Sequence, residues 1–438
     1  MDLLSWALIT AVLAPLLAAV AVGLVSLLRE RRPGERMVFA TCAAGLGVSL
    51  FADLVAIAAT QGLLGPGAAG SLRGAEVDFG PWLVVGGYVI PLVALVDRVA
   101  MAFALMGAFL TLLVASFSRT YLHREPGFLR FFVLLGLFAA GTQLVAWAGA
   151  LDVMFAGWEL IGWSSALYIG FFCERREPVR SSIRAFATYR LCDAGFLLAV
   201  VLTHELLGTT RLSALPQAAG LGAATSAIAA MFVLAALGKS AQLPFSGWLS
   251  RAIEGPTPSS ALFYGGVSIH AGLFLILRVW PVLDASPAVR VGTIALGLLT
   301  ALYATALARV QADAKGALAH ATLAQVGLIL AEIAAGMTTL ALVHLIGHAL
   351  LRVWQYLRAP NPVHDAHRLG PARRVSFMPL APARLESRLY LAALHRLRLD
   401  DLLDLAVSPV FALARGLDRV DQALRRALSL DPPEGRPR

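Results

Sequence analysis

Residues 235–248 read AALGKSAQLPFSGW. The stretch lies inside a long apolar run, yet it carries Lys239 and, five residues later, Pro244. A cation at the centre of a membrane helix costs roughly 2.5–3.5 kcal/mol on insertion scales. A proline inside a helix costs about 3 kcal/mol more. Both features make sense together if the helix opens at this point. Broken helices at membrane depth are tolerated where they line a polar cavity, and such breaks in transporters mark ion sites. The pattern K-S-A-Q-x-P therefore predicts a hydrated pocket in a helix break, with a titratable amine beside it.

The rest of the chain agrees with a membrane setting. Its 438 residues are 58% hydrophobic and 14% charged, where a soluble chain carries about a quarter charged residues. Apolar blocks of about 20 residues, the length that crosses a bilayer, recur from end to end. Eleven spans are expected, at 4–28, 37–61, 96–118, 129–149, 151–173, 182–206, 223–248, 256–280, 289–309, 316–336 and 338–358. The first begins with an acid and has no basic head, so it reads as a span and not as a cleaved signal. Residues 62–95 are rich in Gly and Pro with alternating apolar positions, which suits an external loop with a short hairpin.

Beyond Arg374 the pattern changes. Residues 384–429 space their apolar positions by three and four, with Arg and Asp between. This predicts one or two amphipathic helices at a membrane surface or against a partner, separated at Pro409. The tail SLDPPEGRPR is expected to be disordered. The organisation is thus 1–95 (N-terminal spans and external loop), 96–358 (a core) and 359–438 (loop, surface helices and tail). The fold class is an all-α polytopic membrane helix bundle.

All but two of the 36 basic residues are Arg; the exceptions are Lys239 and Lys315. Arg cannot release a proton in a protein, whereas a buried Lys shifts readily. The loops 29–36, 118–130, 173–184 and 358–374 hold most of the Arg and alternate with Arg-poor loops. The positive-inside rule then puts the N-terminus outside and the C-terminus in the cytoplasm. Cys42, Cys173 and Cys192 form no C-x-x-C, so they read as packing residues. No G-x-G-x-x-G follows a strand and no P-loop exists, so no cofactor is expected. The expected partners are protons, the lipid bilayer and other membrane subunits, not nucleic acid.

Ionisable groups within spans are functional candidates by default. Those that stand out are Glu159, Asp193, Lys239, His270, His344 and His348, with Lys315 at a span edge. His344, His348 and Arg352 are spaced to share one helix face. Asp193 follows Arg190 by three, so a simple intrahelical ion pair competes with a functional role. The two histidines also fit a satisfied core pair, and H-x-x-x-H without the Glu of H-E-x-x-H is a weak metal pattern. Glu159 would neutralise if alone, but would stay charged beside a Lys. That pairing would make Lys239 a proton site of adjustable affinity.

GWELIGWSSALYIGFF, GKSAQLPFSGWL, EGPTPSSAL, QADAKGALAHATLAQVGLIL and HLIGHALLRVWQYL occur in that order. In these segments the chain resembles the antiporter-like proton-translocating subunits of respiratory complex I, above all the L subunit (chain 5 in mitochondria). It is also similar to the large Mrp antiporter subunits. The resemblance covers about 96–370. It implies two inverted five-helix repeats, each with a broken helix, and a midplane row of Lys, Glu and His. Glu159 would be the charged partner, Lys239 the channel lysine and Asp193 the sixth-span acid. Lys315, His344 and His348 would be polar positions of the second repeat. Arg352 stands where Lys is usual, and Tyr264 where a linking His is usual, with His270 six residues on. The first repeat, made of the fourth to eighth spans, is complete by this reading, whereas the other is cut after three spans. The leading expectation is a shortened proton-translocating subunit of a complex I-like assembly. The alternative is the membrane subunit of a DAB-type inorganic carbon uptake complex, beside a soluble zinc-containing partner. A non-conducting scaffold is a third reading, weakened by the retention of Glu159 and Lys239.

Overall fold

Long apolar segments in this chain satisfy their own backbone as helices, and a computed structural model describes residues 2–28, 33–62, 74–311, 313–359 and 382–427. Helices α1 (Leu3–Leu28), α2 (Glu35–Thr60), α3 (Arg98–Tyr121), α4 (Phe128–Trp147) and α5 (Leu151–Ile169) are followed by α6 (Arg176–Leu207) and α7 (Ala223–Lys239). After them come α8 (Thr257–Arg278), α9 (Pro287–Ala308), α10 (Ala314–Ala334) and α11 (Thr338–Arg358). Among the described residues, nine helices are long and apolar enough to cross a membrane. The remaining two, α5 and α7, lie where further spans are expected; α7 has 17 residues and stops at Lys239.

Burial is graded outward from α8, whose apolar window is wholly buried, to α1, α2 and α11, where a third is. Leu17, Leu24, Leu302 and Val343 stand exposed on the outer helices. Scattered exposed Leu and Val on apolar helices are what contact with lipid tails requires. Small residues let the helices approach. A Cβ on Gly297 of α9 would sit 2.5 Å from the Gly327 carbonyl oxygen of α10, and one on Gly327 would sit 2.6 Å from that of Gly297.

The Gly/Pro-rich stretch does form a hairpin, with strands β1 (Ala75–Val85) and β2 (Tyr88–Val96) paired antiparallel. Its tip is Gly86-Gly87, with Gly86 at φ +59°, as a two-residue hairpin turn requires. The hairpin is tied to the bundle. Tyr88 donates to Asp152 of α5 at 2.7 Å, and Arg211, past the end of α6, reaches Asp78 at 2.5 Å. That bond holds the Asp78 carboxyl below the usual carboxylate range.

The amphipathic C-terminal region is α12 (Ala383–Leu394) and α13 (Leu399–Ala427). The division corrects the expectation at Pro409, which lies inside α13. The chain turns instead at Arg396, Leu397 and Arg398, all at φ above +50°. Three successive left-handed residues end a helix wherever packing demands it, and no Gly or Pro marks the place. Ala393 packs there against Tyr303 and Leu307 of α9. The expected loop at 358–374 falls largely outside the described residues, that at 29–36 for its first half, and the tail SLDPPEGRPR wholly.

Gly297→Ala is expected to destabilise the bundle by about 1–3 kcal/mol, since backbone must move. Gly292→Ala on the same helix, where a Cβ meets nothing within 4 Å, is the control. Thermal unfolding of the two variants in one detergent checks the difference.

Candidate functional site

The helix break is built from the K-S-A-Q-x-P stretch itself. α7 ends at Lys239, Ala241 takes φ +53°, and a 3₁₀ helix, Phe245–Glu254, follows Pro244. Ending a helix early leaves carbonyls and amides without partners. Here neighbours supply them. Trp248 Nε1 donates to Gly238 O at 3.0 Å, and Gln242 Nε2 to Ser240 O at 2.9 Å. The Leu243 amide donates to Thr300 Oγ1 at 3.1 Å. Ser240 Oγ donates to Ile269 O at 2.7 Å, which ties the break to α8 just before His270.

Lys239 is buried. Its Nζ donates to Trp158 O at 3.3 Å and lies 4.6 Å from the Trp158 ring and 4.9 Å from that of Tyr189. Among the described residues no carboxylate lies within salt-bridge distance of it. The expected direct Glu159–Lys239 pair is therefore not formed. Glu159 instead accepts from Arg190 Nη1, and Arg190 Nη2 donates to Asp193 at 2.7 Å. One guanidinium thus forks across two acids, a geometry that a Lys point charge would not match. Asp193 also accepts from Trp158 Nε1 at 2.5 Å, so Trp158 touches both the acid and the amine. Gly162 keeps the space between the cations open. A Cβ there would lie 2.9 Å from Lys239 Nζ and 3.5 Å from Arg190 Nη2.

The second group starts at His270. Residues Ala261–Gly266 form a π-helical turn, and beyond it the His270 amide bonds Val267 O. The Gly266 carbonyl is thereby left for His270 Nδ1. His270 Nε2 meets His348 Nδ1 at 3.0 Å, and Arg352 Nε donates to His348 Nε2 at 3.0 Å. The directions follow from the chemistry. Guanidinium only donates, so His348 Nε2 accepts and its proton is on Nδ1. That proton goes to His270 Nε2, and His270 keeps its own on Nδ1 for the Gly266 carbonyl. Arg352, His348, His270 and Gly266 form one chain of bonds pointing the same way, with both imidazoles neutral. Arg352 is fixed from its other side by Gln355 at 2.8 Å.

His344 continues the row. Its Nδ1 meets Glu332 at 2.9 Å and its Nε2 faces Gln325 Oε1 at 3.1 Å. Lys315 stands apart from the buried row. It is half-buried at the start of α10 and donates to Thr257 Oγ1 at 2.7 Å, which in turn meets Tyr121 OH at 2.9 Å. Tyr264 packs its ring against Trp248. The structure thus brings together Glu159 and Asp193 through Arg190, Asp193 and Lys239 through Trp158, and His270 with His348.

Several partners escaped the sequence reading. Arg190 looked like a helix-local partner of Asp193, although two acids at one depth call for a shared cation. Glu332 and Gln325 are seven apart, on one face of α10, and would have been found by that spacing. Asp53 is fully buried in α2 and accepts from Gln143 Nε2 at 2.9 Å and Trp147 Nε1 at 3.0 Å. A lone acid in an apolar span was its signal. Among the described residues no group of three or more His, Cys, Asp or Glu is placed to hold a metal ion.

Comparison with known proteins places these residues in context. The family described as NADH:quinone oxidoreductase/Mrp antiporter, TM, matches residues 148–378, and that described as NADH-ubiquinone oxidoreductase (complex I), chain 5 N-terminus, matches 82–132. NADH-quinone oxidoreductase subunit L of Mycobacterium tuberculosis is 31% identical over 343 residues, 76% of this chain and 52% of that one. The probable inorganic carbon transporter subunit DabB1 of Halothiobacillus neapolitanus is 34% identical over 281 residues, 62% of this chain and 50% of that one. The chain spans about half the length of these curated relatives. Among solved structures, the Mrp complex from Dietzia sp. DQ12-45-1b aligns with a TM-score of 0.69 and 26% identity, covering 84% of this chain and 38% of that one.

The directed chain makes a spectroscopic prediction. In protein labelled with 15N-histidine, His270 and His348 are expected as the Nδ1–H tautomer. Arg352→Met removes the donor that sets it, so His348 should then show a mixture. A mixture already present in the unaltered protein would contradict the assigned directions.

Proposed function

We propose that this chain, which belongs to the NADH:quinone oxidoreductase/Mrp antiporter transmembrane family, is a proton-translocating membrane subunit of a complex I-like assembly. The observation that carries the reading is Lys239, buried at a helix break with no carboxylate of the described residues in contact but with two acids held nearby by Arg190. An ammonium without an ion-pair partner gives up its proton more easily than a paired one. If Arg190 releases Asp193 or Glu159, the freed carboxylate stabilises the charged amine. Movement of Arg190 thus changes proton affinity at Lys239. The proton path we assign comprises Glu159, Asp193, Lys239, His270, His348 and His344, with Lys315 at its edge. The second oxygen of Glu159, Oε1, has no partner among the described residues, so it is open to receive a proton.

In this reading residues 96–358 are the translocation core, within eleven spans. The fourth to eighth spans form one repeat broken after Lys239, and α9–α11 begin a second. The Arg-rich loops put the N-terminus outside and the C-terminal helices on the cytoplasmic side. Redox chemistry belongs to other subunits. His270 takes the linking position, since it bonds His348 while Tyr264 packs against Trp248.

A second reading rests on the similarity to DabB1. The chain would then be the membrane subunit of an inorganic carbon uptake complex, beside a soluble zinc-containing protein, with the same row coupling a cation gradient to uptake.

Purification of the complex from its native membrane through a tag on this chain, with mass spectrometry of what accompanies it, separates the two. Quinone-reductase subunits support the first reading, and one large zinc-binding soluble protein the second. In either complex Lys239→Ala should lower proton-coupled activity roughly tenfold or more. Gly162→Ala, which crowds the amine, should lower it less while leaving assembly intact. Full activity in Lys239→Ala would remove the lysine from the path.

A further inference from the structure

α6 and α13 line an open cleft of about 550 Å³. Three of its lining residues, Arg176, Arg180 and Arg184, recur every fourth position on α6, and Arg415 enters from α13. Glu177 is the one acid in the lining, and Ser408 adds a hydroxyl. Like charges four apart on a helix repel one another. Among the described residues neither Arg176, Arg180 nor Arg415 has a carboxylate within salt-bridge distance, although Glu177 shares the lining. An anion between Arg176, Arg180 and Arg415 would offset that repulsion, and the planar fork of Arg suits a phosphate's oxygens.

The walls indicate which phosphate. Val179 and Ile183 also line the cleft, so its polar floor has an apolar side. Ile183 is exposed, and Leu191 and Leu198 continue exposed along α6 away from the charged end. A headgroup seated among the arginines would find a surface for its acyl chains along that helix. Basic clusters next to a membrane helix attract anionic lipids in just this way.

We propose that the cleft between α6 and α13 binds the phosphate of an anionic phospholipid headgroup, fixing the amphipathic C-terminal helix on the bundle. The site is separate from the buried Lys–Glu–His row, and it stands whether or not the chain moves protons. Arginines kept only to orient the chain would draw anionic lipid diffusely, with no special dependence on Arg180 and Arg415, which makes the two explanations separable.

The test uses the purified full chain and native mass spectrometry, with short-chain phosphatidylglycerol, short-chain phosphatidylcholine and inorganic phosphate as probes. Phosphatidylglycerol should be retained over phosphatidylcholine. Arg180→Gln with Arg415→Gln should weaken that retention by about tenfold or more, as expected when two charge-assisted bonds are lost. Arg180→Lys with Arg415→Lys should recover part of it. Arg290→Gln on α9, whose partner is Asp284, should leave it unchanged. Equal retention of the two lipids by the unaltered chain would overturn the proposal, as would undiminished phosphatidylglycerol binding by the glutamine variant. Displacement of phosphatidylglycerol by an equal concentration of inorganic phosphate would also overturn it, because the site would then be one for a free anion.

Discussion

A helix that stops within a bilayer must find partners for the backbone groups it exposes, because no water is at hand to take them. The buried row depends on how α7 meets that constraint after Lys239. Trp248, Gln242 and Thr300 satisfy the groups on one side of the break, and Ser240 bonds a carbonyl of α8 on the other. Each of those bonds is worth about 1 kcal/mol net, but leaving the group unmade costs more. The break is therefore held in one geometry, and the amine at its edge is held with it.

The two halves of the row handle charge differently. Around Lys239 the charges are plural and share partners: one guanidinium on two acids, and one tryptophan on an acid and an amine. Around His348 there is a single permanent cation and two neutral rings, with each hydrogen placed by its neighbour. A proton arriving at His348 would set two donors against each other at Nε2. Passage through that half requires Arg352 to turn from the ring.

Much of this architecture was legible in the residues. Apolar length located the helices, because length and hydropathy are what a bilayer selects. The pairing of Lys with Pro located the break, because each is costly there alone. The partners of Glu159 and Lys239 were not legible. Periodicity says which residues share a helix face, but Glu159, Arg190 and Lys239 lie on three helices. Their approach depends on rotations that packing at glycines such as Gly162 decides. The π-turn before His270 was only partly signalled: Gly265-Gly266 weakens a helix there, but a glycine pair does not say that the turn widens. Nor did the turn at Arg396–Arg398 announce itself, whereas Pro409, the visible breaker, is accommodated within α13.

Arg352 has a consequence for how the chain would feel a transmembrane voltage. Only charge that changes position does work against the field, at about 2.3 kcal/mol per elementary charge per 100 mV. While it is bonded to His348 on one side and Gln355 on the other, the guanidinium stays where it is. It adds a constant to the local potential and nothing to the gating charge. Any voltage dependence of passage through the histidine side would then carry the turning of Arg352 as well as the proton, whereas on the Lys239 side it would carry the exchange of partners around Arg190.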